Sequence, residues 1–146
     1  MATDIYGALL EIQSEGIEGV TKDAKNPHFK NTYITLGKLL ERVMPVLTEK
    51  GILLTQIPGS IDGAPALLTT LKHVESGTSV DGASPLMLEK DNPQGLGSAI
   101  TYLRRYSLMS MLGLVADEDD DGEKASPRKR EVVNVGASGA PEKPLF

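Results

Sequence analysis

The chain has 146 residues, 40% of them hydrophobic, which suits one small domain with a modest core and a tail. It has no cysteine, so disulfides and thiolate-bound zinc are excluded and a reducing compartment is expected; no stretch approaches the roughly 18 consecutive apolar residues of a membrane span. The net charge of −5 is unevenly spread: residues 1–116 hold ten basic and twelve acidic residues, residues 117–123 (DEDDDGE) add six acids, and the tail from 124 on is net basic.

In chain order, residues 4–15 read as a helix with Ile5, Ala8, Leu9 and Ile12 on one face. This N-terminal stretch carries acids and no basic n-region, so no signal peptide is expected, and a cytoplasmic location is the expectation. Asn26-Pro27-His28-Phe29-Lys30-Asn31 reads as a loop, because Pro27 keeps Asn26 out of the helical region. Thr35 is placed as an N-cap, followed by Leu36, Leu39, Leu40, Val43 and Leu47 at helical spacing and by Gly51 at the stop. Lys38 and Arg42 lie four apart on the opposite face, and Pro45 is expected to kink or split this helix.

Three strand signals follow. Ile52–Ile57 is a short run closed by Pro58-Gly59; residues 66–75 form a second, with Ser76-Gly77 as a hairpin turn; residues 78–88 form a third, with a bulge expected at Gly82-Ala83. The last element is a helix from Gln94 to about Leu114. The order predicts an α+β domain over 1–122, a small antiparallel three-stranded meander with helices on one face, and a disordered tail over 123–146. A core of this size would gain from subunit contacts.

The last helix divides its chemistry along its length. Leu96, Ala99, Ile100, Leu103, Met111 and Leu114 cluster on one side, with Gly97, Thr101, Arg104 and Arg105 opposite and Gln94 and Ser98 nearby. Its N-terminal half is therefore basic and lined by small residues, where free N–H groups and the helix dipole favour anions. Gly95 and Gly97 would let a phosphate approach the backbone. Of six aromatic residues, four fall in two segments that also carry bases, NPHFKNTY (26–33) and TYLRRY (101–106); rings beside cations suit single strands.

The segments Asn26–Tyr33 and Gly95–Leu108, closing with Asp117-Glu118-Asp119-Asp120-Asp121, resemble the ERF (essential recombination function) family of phage single-strand annealing proteins. The likeness covers roughly residues 4–122. It implies a β-β-β-α annealing core, ring or helical-filament oligomers, an outer groove holding one DNA strand, no enzymatic activity and no cofactor. The sequence has no G-x-x-x-x-G-K-[ST] phosphate loop, in line with annealing without ATP. With the resemblance, the residues expected to hold single-stranded DNA are Lys30, Lys72, Arg104 and Arg105 on phosphates, Gly97, Ser98 and Thr101 at the helix start, and Tyr102 stacked on a base. His28, Phe29, Tyr33, Lys38 and Arg42 are weaker candidates.

Each has a plainer reading. The arginines, Lys38 and Arg42 could sit on a solvated face with surface ion pairs worth little. Phe29 suits a hydrophobic anchor and Tyr106 the core. His28 and His73, the two histidines, have no cysteines beside them and make a poor metal site. Asp117–Gly122 opens like a calcium loop, but the twelfth position is Arg128, after Pro127. A nuclease site would need carboxylates converging from separate elements, so the acidic run reads as a helix stop that could also repel DNA. Arg128-Lys129-Arg130 resembles a basic import patch. Pro144-Leu145-Phe146 could dock a host single-strand-binding protein or be an unanchored terminus. A passive strand-coating module remains the alternative function.

Overall fold

The computed structural model describes residues 2–20 and 34–115. The motif His28, Phe29, Lys30 and Tyr33, the acidic run and the tail lie outside the described residues. The elements are α1 (Ile5–Glu15), α2 (Leu36–Glu49), β1 (Ile52–Ile61), β2 (Ala64–His73), β3 (Ser79–Pro85) and α3 (Pro93–Met111). This is a small α+β fold.

Each helix starts on a side chain that satisfies an orphan amide. Asp4 accepts from Gly7 N at 2.9 Å, Thr35 from Lys38 N at 3.3 Å, and Asn92 from Gly95 N at 2.7 Å, with Pro93 at the first helical position of α3. Pro45 does not split α2, which runs unbroken from Leu36 to Glu49. Both Pro45 and Glu41 are exposed, so water can serve the carbonyl that lost its donor.

The three strands form one antiparallel sheet in the order β1-β2-β3. β1 is four residues longer than Ile52–Ile57, continuing through Pro58-Gly59 to Ile61. Pro58 is tolerated because β1 is an edge strand, where a missing N–H need not break a ladder. At Gly59 a Cβ would come within 2.8 Å of a Leu68 methyl, so glycine lets the strands close up. The reversal comes instead at Asp62-Gly63, whose φ values of 51° and 83° make a two-residue turn of the primed kind that matches strand twist. The expected bulge is absent: Leu68↔Ala83, Thr69↔Gly82 and Thr70↔Asp81 follow in unbroken register.

One sheet face meets the helices. Ile52, Leu54 and Leu71 join Ile5, Ala8 and Ile12 of α1, Leu39, Val43 and Leu47 of α2, and Leu108, Met109 and Leu112 in and after α3. Thr78 Oγ1, in the β2–β3 turn, accepts from Ile5 N at 2.8 Å and pins the start of α1. Lys50, at the end of α2, reaches Glu11 at 2.9 Å and Glu15 at 3.2 Å. Hydrogen bonding from Lys50 holds the Glu11 carboxyl below its ordinary pKa, and the Glu11 and Glu15 carboxylates raise that of Lys50.

The buried face of α3 is not the one its apolar residues outline. Arg105, Leu108, Met109 and Leu112 are buried, at i, i+3, i+4 and i+7, whereas Leu96 is exposed and Ala99 and Leu103 only partly covered. The helix turns its second half to the core, and the same stripe carried back one turn places Arg105, not Leu103, against the protein.

Candidate nucleic-acid interface

The start of α2 and the first half of α3 enclose an open groove of about 680 Å³. It is lined by Thr35 and Leu36 from α2, and by Gln94, Gly97, Ser98, Thr101, Tyr102 and Arg105 from α3. Five of these, Gly97, Ser98, Thr101, Tyr102 and Arg105, are among the residues singled out in the sequence. The floor at Gly97 is open, since a Cβ built there would meet nothing within 4 Å. Gly95 behaves differently. A Cβ there would collide with the Lys90 carbonyl oxygen, so this glycine admits the Leu86–Asn92 strap and not a phosphate.

Tyr102 forms one wall of the groove and is 55% exposed. Its ring lies 4.4 Å from that of Tyr106, inclined at 34°. Arg105 is only 9% exposed, which corrects the reading of this face as solvated. Its guanidinium carbon sits 4.5 Å from the Tyr106 ring centre and 5.8 Å from that of Tyr102. The long stem covers apolar surface while the planar head packs on rings. On its far side Tyr102 borders a second depression, of about 600 Å³, between the strap and α3, where Met87, Ala99 and Leu103 give apolar walls.

Arg104, one residue on, points elsewhere. Its carbonyl accepts from Gln56 Nε2 at 3.1 Å, and its Nε donates to Gln56 Oε1 at 3.4 Å. It is half-buried over the edge strand β1, beside the groove and not in its lining, and no carboxylate pairs with it among the described residues.

Lys72 is not brought to this site. It pairs with Leu53 and Ser79, so it stands on the outer face of the sheet, whereas α3 packs on the inner face through Gln56 and the 2.8 Å Ser84–Ser107 hydrogen bond. The alternation of a strand makes the two faces exclusive. The outer face also carries the exposed apolar residues Leu53, Ile57, Ile61 and Leu68. Lys38 is solvent-exposed beside Glu41, 3.9 Å away, one turn into α2 from the groove. The Arg42 side chain crosses Gly19, where a Cβ would be 2.9 Å from its Nε.

Sequence reasoning missed Thr35 and Leu36 as groove residues. Thr35 was legible as a helix cap, but nothing local says that its helix start faces α3. His73 is buried and shares a 2.8 Å hydrogen bond with Ser76, closing the β2–β3 turn.

The fold and groove define a small α+β domain that offers a polar, small-residue surface flanked by an exposed ring. The chain belongs to the ERF superfamily, whose family model matches residues 5–136. That match takes in all six elements and the acidic run. No curated protein and no solved structure matches the chain. Family membership places it with proteins of phage-type recombination that act on DNA. No helix among the described residues is long and apolar enough to cross a membrane.

Proposed function

We propose that the protein anneals complementary DNA single strands without nucleotide hydrolysis, as a homo-oligomer, ring or helical filament, that carries one strand along the α2–α3 groove. The supporting observation is that Gly97, Ser98, Thr101 and Tyr102 line one open groove, together with the start of α2, in a chain of the ERF superfamily.

The backbone of the strand lies against the first turns of α3. Pro93 has no N–H and the Gly95 and Leu96 amides are taken by Asn92, so the Gln94 amide and the Ser98 and Thr101 hydroxyls supply the hydrogen bonds, the helix dipole supplies a partial positive charge, and Gly97 keeps the approach clear. Tyr102 supports a base from the side, which tolerates any sequence because every base has a stacking face. Arg104 on the adjacent flank, and Lys38 near the start of α2, add positive potential. Lys30 and Tyr33 precede the groove residue Thr35 by five and two positions in the chain and belong to the same proposal. Lys72, on the outer face, meets DNA only if the strand passes between subunits. Repetition of a weak site around an oligomer raises overall affinity through effective concentration.

The test is strand pairing. Two complementary oligonucleotides, each coated with protein beforehand and labelled for energy transfer, are mixed without nucleotide. Pairing faster than that of the naked strands is expected. Pairing slower than naked strands identifies a passive coating protein and refutes annealing, and no binding even at low salt refutes the DNA assignment altogether.

A further inference from the structure

We propose that Arg105 is a positioning residue that acts on a bound base through Tyr102, and not a direct phosphate ligand. This inference rests on the reading that a single strand occupies the α2–α3 groove.

The side chains of Tyr102, Arg105 and Tyr106 occupy i, i+3 and i+4 of α3, the spacing that brings side chains together on a helix. Here they form a contiguous set of flat groups. The rings are 4.4 Å apart, and the Arg105 guanidinium lies 4.5 Å from the inner ring, Tyr106, and 5.8 Å from the outer one, Tyr102. Exposure rises through the set, from 9% at Arg105, through half-buried Tyr106, to 55% at Tyr102. The buried end is anchored in the stripe with Leu108, Met109 and Leu112, and the exposed end is a wall of the groove.

This arrangement divides the labour of the two adjacent arginines. A phosphate reaching Arg105 would have to shed water to meet a guanidinium that is almost wholly covered, and that desolvation opposes the attraction. Arg104 is only half-buried. What Arg105 offers is a rigid plane: a guanidinium packs face-on against a ring, whereas a lysine ammonium is a point charge on a flexible stem. Holding Tyr106, and through it Tyr102, in one orientation means that the ring loses little freedom when a base stacks on it. Charge alone does not achieve this.

Binding is measured by fluorescence anisotropy across a salt series, for the full chain and its variants. The probes are a labelled oligo-dT and an abasic strand of the same length. Arg105→Lys is expected to weaken binding to oligo-dT by about 5- to 10-fold, the loss of about one stacked base. Binding to the abasic strand and the salt slope should stay as in the wild type. Added to Tyr102→Ala, it should have no further effect, because the two act as one unit. Full rescue by lysine overturns the proposal. So does an equal loss on the abasic strand, the mark of a contact to phosphate and not to a base, or effects of the two variants that multiply. Should Arg105→Lys not fold, Tyr106→Leu breaks the same chain of contacts, and wild-type oligo-dT affinity in that variant overturns the idea equally. A wild-type chain that binds neither probe sinks the groove reading itself, whereas rescue by lysine in a chain that binds sinks only the role of Arg105.

Discussion

Gly97 separates stability from function at the floor of the groove. Outside its own helix no atom lies within 4 Å of where its Cβ would be, so a methyl group there clashes with nothing. Gly97→Ala should therefore stabilise the domain by about 0.5–1 kcal/mol, the helix preference of alanine over glycine. Gly97→Glu should fold at least as well as the wild type, since a carboxylate in the first turns of a helix complements the dipole. The same carboxylate would stand where a phosphate is proposed to lie. Repulsion from two flanking phosphates at about 6 Å, each worth about 0.7 kcal/mol in water, totals about 1.4 kcal/mol, or tenfold in affinity before any steric exclusion. Urea denaturation and oligonucleotide anisotropy on the same samples test both halves. A Gly97→Glu chain that is stable and binds single strands as tightly as the wild type would refute the placement of the strand.

Three further outcomes probe the frame around the groove. Gly95→Ala should lose about 1–3 kcal/mol despite its better helix propensity, because the new methyl meets the Lys90 carbonyl; a gain on urea denaturation would contradict that packing. Leu71→Ala, on the central strand and fully buried, should cost about 2–5 kcal/mol by the same assay, and a loss under 1 kcal/mol would mean that the sheet does not carry the core. The Glu11 carboxyl titrates below its ordinary value of 4.5 when folded, so its contribution is present above that pH and is lost as pH falls through the lower folded value. The raised Lys50 works in the opposite direction: its contribution holds below its ordinary pKa and is lost only as pH rises past the folded one. Glu11→Gln should make the acid side of the stability profile shallower and leave the neutral region flat; an unchanged acid limb would dismiss the Lys50 contact.

Local signals in the sequence carried much of the fold. Thr35, the Leu39–Val43–Leu47 stripe and the Ser76-Gly77 turn stand where their chemistry puts them, because caps, helical period and positive-φ turns are decided within a few residues. Asp62-Gly63 is as strong a turn signal as any in the chain, yet Pro58-Gly59 upstream competed with it. The structure shows why that competitor loses: on an edge strand proline costs no ladder bond, and Gly59 is needed for Leu68. The orientation of α3 was not legible. Its apolar residues spread around the helix, and which stripe faces inward is settled by where the helix lands on the sheet and α2, around Leu71 and Val43, a long-range matter. For the same reason the polar residues of α3 could be gathered from sequence, but Thr35 and Leu36 could not. Lys72 could not be assigned to the opposite face until the register of β2 was known.

Amide hydrogen exchange of the full chain, with and without oligo-dT, tests most directly where the strand lies. Bound DNA should slow exchange in the first turns of α3, over residues 94–102, and at the start of α2, with β1 and β2 little changed. Protection confined to the strands, with the beginning of α3 exchanging as fast as in the free protein, would contradict a strand lying between these two helices.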